Sequence, residues 1–374
     1  MKIAFIGQKG IPVTFGGVEY NIDRLSKELV GFDHDVTVYV RSWYTPKTMK
    51  NYGGVRLVYI PTIKSKHLDA SVHSFLCSIH ALFGRYDIIH YHGIGPSFFS
   101  FIPKLFNKKI VATIHRLDWS SEKWGKLAKI FLKFGEYISV KIPDRTIVVS
   151  ADLKKYVKEK YNRECIHIPH GIDEPARMAP KIIKEKYGLD GKDYILFIGR
   201  LVPEKRIDWL IEAFQSVAQK SIRAKSMKLV IAGGSSATAD YVKQLQEMSA
   251  ADENIIYTGY VTGNEKAELM SNAFLFSLPS HVEGFPIALL EAKSYGLCSL
   301  VSDIPPHREA ISPEIDGILF KADELSELSQ NLFKLIENPA KAETMGRNAK
   351  KNMEALPSWE YVARKTEKVF KELL

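Results

Sequence analysis

YILFIGRLVPEKRIDWLIEAF, residues 194–214, decides the fold. YILFIG is an unbroken apolar run with no polar alternation, which predicts a strand buried on both faces. The segment behind it, EKRIDWLIEAFQSVAQ (204–219), spaces its apolar residues at helical intervals, and Pro203 stands where proline opens a helix. A buried strand feeding an amphipathic helix is half of a parallel βαβ unit, because parallel strands need a crossover between them.

The alternation continues in both directions. Downstream come the strands MKLVIAGG (227–234), NIIYTGY (254–260), AFLFSLPS (273–280), CSLVSD (298–303) and GILF (317–320), with helices at ADYVKQLQEMSA (239–250) and from Pro286. Upstream are KIAFIG (2–7), DVTVYV (35–40), YDIIHYHG (86–93), KKIVATIH (108–115) and DRTIVVS (144–150). Helices are expected between them at 18–30, 68–84 and 121–142. The stretch IHIPHGIDEPARMAP (166–180) reads as a linker. The fold class is therefore α/β, with two Rossmann-like doubly wound parallel-sheet domains facing across a cleft that holds the ligand. Their expected bounds are 1–172 and 173–357, with a terminal helix over 358–374 that packs back on the first domain.

The bulk numbers agree with this division. A chain of 374 residues exceeds one comfortable core. No apolar stretch approaches the roughly 18 residues of a spanning helix, and MKIAFIG is too short for a signal peptide. Cys77, Cys165 and Cys298 are widely spaced, which argues against a disulfide framework or zinc site and for a reducing compartment. A cytoplasmic location is expected. Residues 1–172 carry a net charge of +12 and residues 173–374 a net charge of −3, so the first domain should face an anionic partner. Its lysines form no recognised nucleic-acid reader, so no nucleic acid is expected and lipid or phosphate-bearing molecules remain.

Five loops carry the chemistry. In EGFPIALLE (283–291), Pro286 opens a helix whose free Ile287 and Ala288 amides form an anion site. Glu291 lies about 7–8 Å further along the axis, the reach from a diphosphate to a ribose, whose two hydroxyls it can accept. Glu283 would lie on the sugar side. Arg200 and Lys205 leave the strand at 194–199, and a cation in a first helical turn opposes the dipole unless it meets a phosphate. Gly16 and Gly17 precede a helix and permit close backbone approach. His92 and His115 end two strands expected to open on one cleft. Each feature also has a plain reading: a capping loop, solvated cations, a common glycine turn, core histidines. There is no GxGxxG or Walker lysine motif, and the one D-x-D, Asp33-His34-Asp35, reads as a turn.

Taken together, HVEGFPIALLEAKSYG, GRLVPEK, PHGID and FGGVE, in this chain's order, resemble the retaining nucleotide-sugar glycosyltransferases of family 4, which have the GT-B fold. The resemblance covers nearly the whole chain, and the two glutamates eight apart are its most specific part. It implies that Arg200 and Lys205 neutralise the leaving diphosphate. Glu291 holds the ribose and Glu283 contacts the donor sugar, with Gly284, Phe285, Pro286, Ile287 and Ala288 shaping the phosphate loop. His115, with His92 nearby, stands beside the transferred sugar, and Gly16 or Gly17 lies where donor and acceptor meet. The base would contact the backbone near Val261 and the loop after Gly233. No cofactor and no metal are implied. Two departures stand out: His170 where the family often has asparagine, and Arg206 where glycine is commoner. The opening IGQKGIPVTFGGVE is also similar to a rhamnosyltransferase subgroup of surface-polysaccharide assembly.

The resemblance implies transfer of a sugar from a UDP-, GDP- or dTDP-sugar to a hydroxyl of a glycan or lipid-linked acceptor. Same-fold alternatives are a nucleotide-sugar epimerase, a hydrolase, a phosphorylase, or a silent sugar-nucleotide binder. In the 121–142 segment, Lys123, Lys126, Lys129 and Lys133 follow one helical stripe, and Trp124, Leu127, Phe131 and Ile138 another. SFFSFIPKLFNKK (97–109) adds a second apolar-basic stretch. Peripheral contact with an anionic membrane is one reading of these segments, and an ordinary helix packed on the sheet is the other.

Overall fold

A computed structural model describes residues 1–63, 65, 68–121, 124–234, 238–353 and 357–374. The chain divides into two compact units, Met1–Gly171 with Pro357–Leu374, and Ile172–Leu356. Among the described residues, the first unit carries eight strands: β1 (Lys2–Ile6), β2 (Asp35–Val40), β3 (Asn51–Tyr52), β4 (Val55–Tyr59), β5 (Ile88–His92), β6 (Lys109–Ile114), β7 (Arg145–Val148) and β8 (Ile166–His167). Their order in the sheet is β3-β4-β2-β1-β5-β6-β7-β8. The short β3–β4 pairing is antiparallel and the others are parallel.

Strand β1 shows how the sequence builds this sheet. Ile3 and Phe5 enter an apolar cluster on one face, while Ala4 and Ile6 enter a second cluster on the other. That is the period-two alternation of a strand covered on both sides. The chain winds outward from β1 through β2 and β4, then restarts beside β1 with β5 and continues to β8. The order therefore reverses between β1 and β5, whose loops diverge and leave room at their C-terminal ends.

The helix Trp359–Lys371 belongs to this first unit. Trp359, Val362, Ala363, Val369 and Phe370 join the cluster that holds Ile3 and Phe5. Burying each large side chain contributes about 1.5–3 kcal/mol. Ser358 caps the helix by accepting from the Tyr361 amide at 3.2 Å. Gly171 makes the fit: a Cβ there would lie 2.7 Å from the Trp359 indole.

Among the described residues, the second unit carries β9 (Tyr194–Ile198), β10 (Lys228–Ala232), β11 (Ile255–Gly259), β12 (Leu275–Leu278), β13 (Cys298–Ser302) and β14 (Gly317–Phe320), ordered β11-β10-β9-β12-β13-β14. All pairings are parallel. This sheet reverses between β9 and β12. YILFIG is thus its central strand, buried along Tyr194–Phe197.

Several elements differ from their sequence expectation. The helix expected over 204–219 is interrupted: Pro203–Lys205 is a 3₁₀ turn, Arg206 takes φ +50°, and the α-helix spans Ile207–Ala218. The helix within 121–142 starts only at Lys126. Strand β8 lies inside the stretch read as a linker. Strands β3 and β4 are short and partly exposed, so they give little periodic signal.

Candidate active site

In the second unit, β9 and β12 are neighbours, with Leu275 opposite Ile195 and Phe276 opposite Leu196. The loops leaving their C-terminal ends therefore share one edge. The first carries Arg200 and the Pro203–Lys205 turn; the second carries Glu283 to Pro286. Two bonds tie them. The His281 amide donates to the Glu204 carbonyl at 3.1 Å, and the Lys205 ammonium pairs with Glu283 Oε1. Both side chains are nearly sealed, 13% and 9% exposed. Burial alone would raise the Glu283 carboxyl, but Lys205 and His307 outweigh it and hold the carboxyl below the ordinary range.

Lys205 is therefore not in a first helical turn; it closes the 3₁₀ turn ahead of the helix and faces Glu283. The break that follows explains why glycine suits position 206, since φ +50° is left-handed backbone. Arg206 occupies it and turns its guanidinium over the Trp209 ring, 4.1 Å from the centroid and 3.5 Å from Asp208 Oδ2. Arg206 thus stacks on its own helix.

Arg200 is half-buried and acts electrostatically on Tyr260, whose hydroxyl burial pushes upward and Arg200 draws down. That hydroxyl donates to the Gly234 carbonyl at 2.8 Å. The loops after β9 and β10 touch at Gly233, with φ +144°, where a Cβ would lie 1.8 Å from the Gly199 carbonyl oxygen. Residues 235–237 of the expected base-binding loop lie outside the described residues. Val261 follows β11 and packs partly buried on the core of this unit.

The helix after Glu283 spans Ile287–Ser294, one residue later than expected, with Pro286 as its cap residue. The Leu289 and Leu290 amides donate to the Pro286 carbonyl at 3.1 and 3.3 Å. Ile287 and Ala288 precede them, and their amides have no intrahelical acceptor. Gly284 is buried, and Phe285 and Ala288 rest on the core. Glu291 already has a partner in Lys266 Nζ, 2.6 Å from its Oε1, supplied by the helix Gly263–Asn272. Both carboxylates of the motif are therefore matched by lysines.

His307 was missed by the sequence reading. It sits on the short helix Pro305–Ala310 after β13, fully buried, and burial pushes its imidazole down to about 4. Its Nδ1 lies 2.8 Å from the Ser302 carbonyl, which requires the proton there. The available signal was position: β13 neighbours β12, so its C-terminal loop opens on the same edge. Lys266 gave no signal, because a lysine on a polar helix face looks solvated.

In the first unit, Gly16 has φ +108° and Gly17 begins the helix Gly17–Gly31. The close approach that Gly16 permits is used by the protein itself: a Cβ there would lie 1.9 Å from Glu19 Oε2. The Glu19 carboxylate accepts from the Lys9 amide at 3.0 Å and its ammonium at 2.9 Å. Burial opposes this ionised form, but the Lys9 contacts keep the carboxyl below its usual range. His92 at the end of β5 and His115 after β6 come together, with His92 Nδ1 3.1 Å from His115 Nε2. His170 stacks on His115 and meets Asn21 Nδ2 at 2.9 Å, so the departure at the junction is a buried contact. Asp33, with φ +61°, forms the turn into β2.

The helix Lys126–Lys141 presents a different face from the one expected. Ile138 is buried and Phe131 half-buried, whereas Leu127, Ile130, Phe134 and Tyr137 are exposed beside Lys126 and Lys133. Phe131 and Phe134 contact Phe98. The following helix Phe101–Leu105 ends in exposed Leu105, with exposed Phe106 just beyond it. Lys123 lies outside the described residues.

Two doubly wound parallel-sheet units, each with its polar loops at the strand-order reversal, define a GT-B architecture. The model described as glycosyl transferases group 1 matches residues 180–352, and that described as glycosyltransferase family 4 matches residues 15–174. The chain belongs to the family 4 glycosyltransferases. It is 25% identical to an uncharacterized glycosyltransferase of Methanocaldococcus jannaschii, over 99% of this chain and 98% of that one. It is 26% identical to the Escherichia coli UDP-Gal:α-D-GlcNAc-diphosphoundecaprenol α-1,3-galactosyltransferase, over 76% of each. The fold matches Anabaena HepE, whose structure holds UDP and glucose, with a TM-score of 0.81, 18% identity and full coverage of both chains.

Proposed function

We propose that this glycosyltransferase moves a hexose-type sugar from a nucleoside diphosphate to a hydroxyl of a glycan or lipid-linked acceptor, with retention and without a metal. The observation that carries it is the meeting of Lys205 and Glu283 at the reversal of the second sheet. There a cation and a carboxylate stand beside the uncapped start of the helix Ile287–Ser294. The diphosphate takes Arg200, Lys205 and the Ile287 and Ala288 amides; Glu283 holds the sugar and Glu291 the ribose. Two similar proteins support the substrate class: the Escherichia coli relative is a UDP-Gal:α-D-GlcNAc-diphosphoundecaprenol galactosyltransferase, and the fold match HepE holds UDP and glucose.

In the reaction, the bond from the anomeric carbon to the phosphate oxygen breaks, and its electron pair leaves with the phosphate. The acceptor oxygen bonds to the same face of that carbon, and its proton passes to the departing phosphate. Arg200, Lys205 and the helix amides stabilise the growing negative charge, each donor of this kind being worth about 3–4 kcal/mol of barrier. Cationic side chains and amides thus fill the role a divalent ion would otherwise have. The basic first unit receives the acceptor, and the exposed Leu127, Ile130 and Phe134 with Lys126 and Lys133 rest on an anionic membrane surface.

A thermal-shift screen of UDP-, GDP- and dTDP-sugars, followed by nucleotide release with candidate acceptors, tests this reading. One nucleotide should stabilise the protein, and release should rise with acceptor and persist in a chelator. Stabilisation by none of them would overturn the donor site, and abolition by chelator the metal-free chemistry.

A further inference from the structure

The Lys266 ammonium stands 2.6 Å from Glu291 Oε1 and joins two elements that open on the same edge of the second sheet. Lys266 lies in the first turn of the helix Gly263–Asn272, which leaves β11 just after Val261 and leads into β12. Glu291 lies in the helix that follows β12. A cation in a first turn opposes the helix dipole, so the helix itself gains nothing from a lysine there.

Another lysine–carboxylate pair in the same unit gives a contrast. Lys293 and Asp316 are 4% and 1% exposed. Lys293 also donates to the Ala310 carbonyl, while Asp316 takes the Ser312 amide on Oδ1 and Asn352 Nδ2 on Oδ2. That pair is sealed and met from within the protein. Lys266 and Glu291 are 28% and 17% exposed, open enough for a ligand to reach both. Among the described residues, no donor other than Lys266 meets the Glu291 carboxylate.

A hydroxyl brings one proton and two lone pairs. A carboxylate takes the proton, but the oxygen has given up its water and still needs a donor. An ammonium carries three N–H groups and supplies one from beside the carboxylate. The two side chains together satisfy a hydroxyl on both counts, which neither does alone.

We propose that Lys266 is a specificity-determining residue of the donor site: it turns from Glu291 to a ribose hydroxyl and donates an N–H to the oxygen whose proton Glu291 accepts. This rests on the reading of Glu291 as the ribose partner. The contact given up between the two side chains is regained through the hydroxyl. A nucleotide lacking that hydroxyl leaves the ion pair closed.

Calorimetric titration of the full-length protein with UDP, GDP and dTDP, and then with deoxy forms of whichever binds, tests the proposal. Deleting the recognised hydroxyl, 2′ or 3′, should weaken binding to the unaltered protein about 100-fold. In Lys266→Met the same deletion should cost only about tenfold, because one of the two hydrogen bonds is already gone. Lys266→Gln keeps an N–H donor without the charge and should fall between. An unchanged ratio in folded Lys266→Met overturns the proposal, even where that variant weakens every nucleotide alike, which is a charge effect on phosphate. If Lys266→Met does not fold, an unchanged ratio in Lys266→Gln overturns it equally. If neither deletion weakens binding to the unaltered protein, the Glu291 reading fails and this proposal with it, while the diphosphate site stands. Binding of none of the three nucleotides removes the donor site itself.

Discussion

Lys205 and Glu283 are 78 residues apart in the chain and form one nearly sealed ion pair. The cation assigned to phosphate is thus paired with the carboxylate assigned to sugar. Donor binding on the proposed reading parts them, diphosphate taking Lys205 and a sugar hydroxyl taking Glu283.

That pairing separates stability from catalysis. Lys205→Met leaves a buried carboxylate alone and should cost about 3–5 kcal/mol in denaturant unfolding. Adding Glu283→Gln should restore most of that loss. Nucleotide release should fall about 10²–10³-fold in Lys205→Met and stay low in the double variant. Recovery of release along with stability would show that Lys205 matters to folding alone.

Glu291 is held by Lys266 at 2.6 Å and must exchange that partner for ribose hydroxyls. Glu291→Ala should weaken binding of the cognate nucleoside diphosphate about 10–100-fold by calorimetry, as for hydrogen bonds to a charged group. The preference for ribose over 2′-deoxyribose should vanish in the variant. A preference that survives would place the ribose elsewhere.

The buried histidines set an acid limit. His90 is shifted by burial from 6.5 to about 3. Between those values the unfolded chain binds a proton that the folded chain does not, so stability falls as pH falls. Each such imidazole contributes a slope of about 1.4 kcal/mol per pH unit. His90→Gln keeps a donor toward Thr113 and removes the titration. The slope of unfolding free energy between pH 6 and pH 4, measured in urea, should decrease by about that amount. An unchanged slope would mean that His90 titrates normally.

These sites were unequally legible in the sequence. Unbroken apolar runs mark strands buried on both faces, so YILFIG and KIAFIG identified the central strands, and the loops behind them carried Arg200, Lys205 and Gly16. The two-residue β3 and β8 lack enough residues for a period, and β4, as long as β1, is partly exposed and has no unbroken apolar run. The Lys126–Lys141 helix shows another limit: spacing puts Leu127 and Ile138 in phase, within about 20° of each other, but does not reveal that the first turn, with Leu127, is left uncovered while Ile138 is buried. Lys266 and His307 became visible only when neighbouring strands aligned their loops. Arg206 stood out against a family preference, and only the backbone angle supplied the reason.

Arg206→Gly tests that reason. Glycine relieves left-handed backbone of about 1 kcal/mol and loses a cation–π contact of about 0.5–1 kcal/mol, so thermal stability should barely move. Nucleotide affinity should also be unchanged, because the guanidinium lies over Trp209. A marked loss of affinity would place Arg206 at the phosphate.

The exposed face of Lys126–Lys141 makes a separate prediction. Leu127→Glu with Phe134→Glu should abolish salt-sensitive flotation with anionic liposomes and leave the melting temperature within about 2 °C, as for exposed positions. Equal flotation of both proteins would remove the membrane contact.

The helix Trp359–Lys371 carries a consequence for biosynthesis. The layer beneath β1 stays open until Phe370 has left the ribosome, while Ile172–Leu356, contiguous in sequence, can close earlier. The half translated first is thus the half completed last, its sheet left uncovered beneath β1 until the terminal helix emerges.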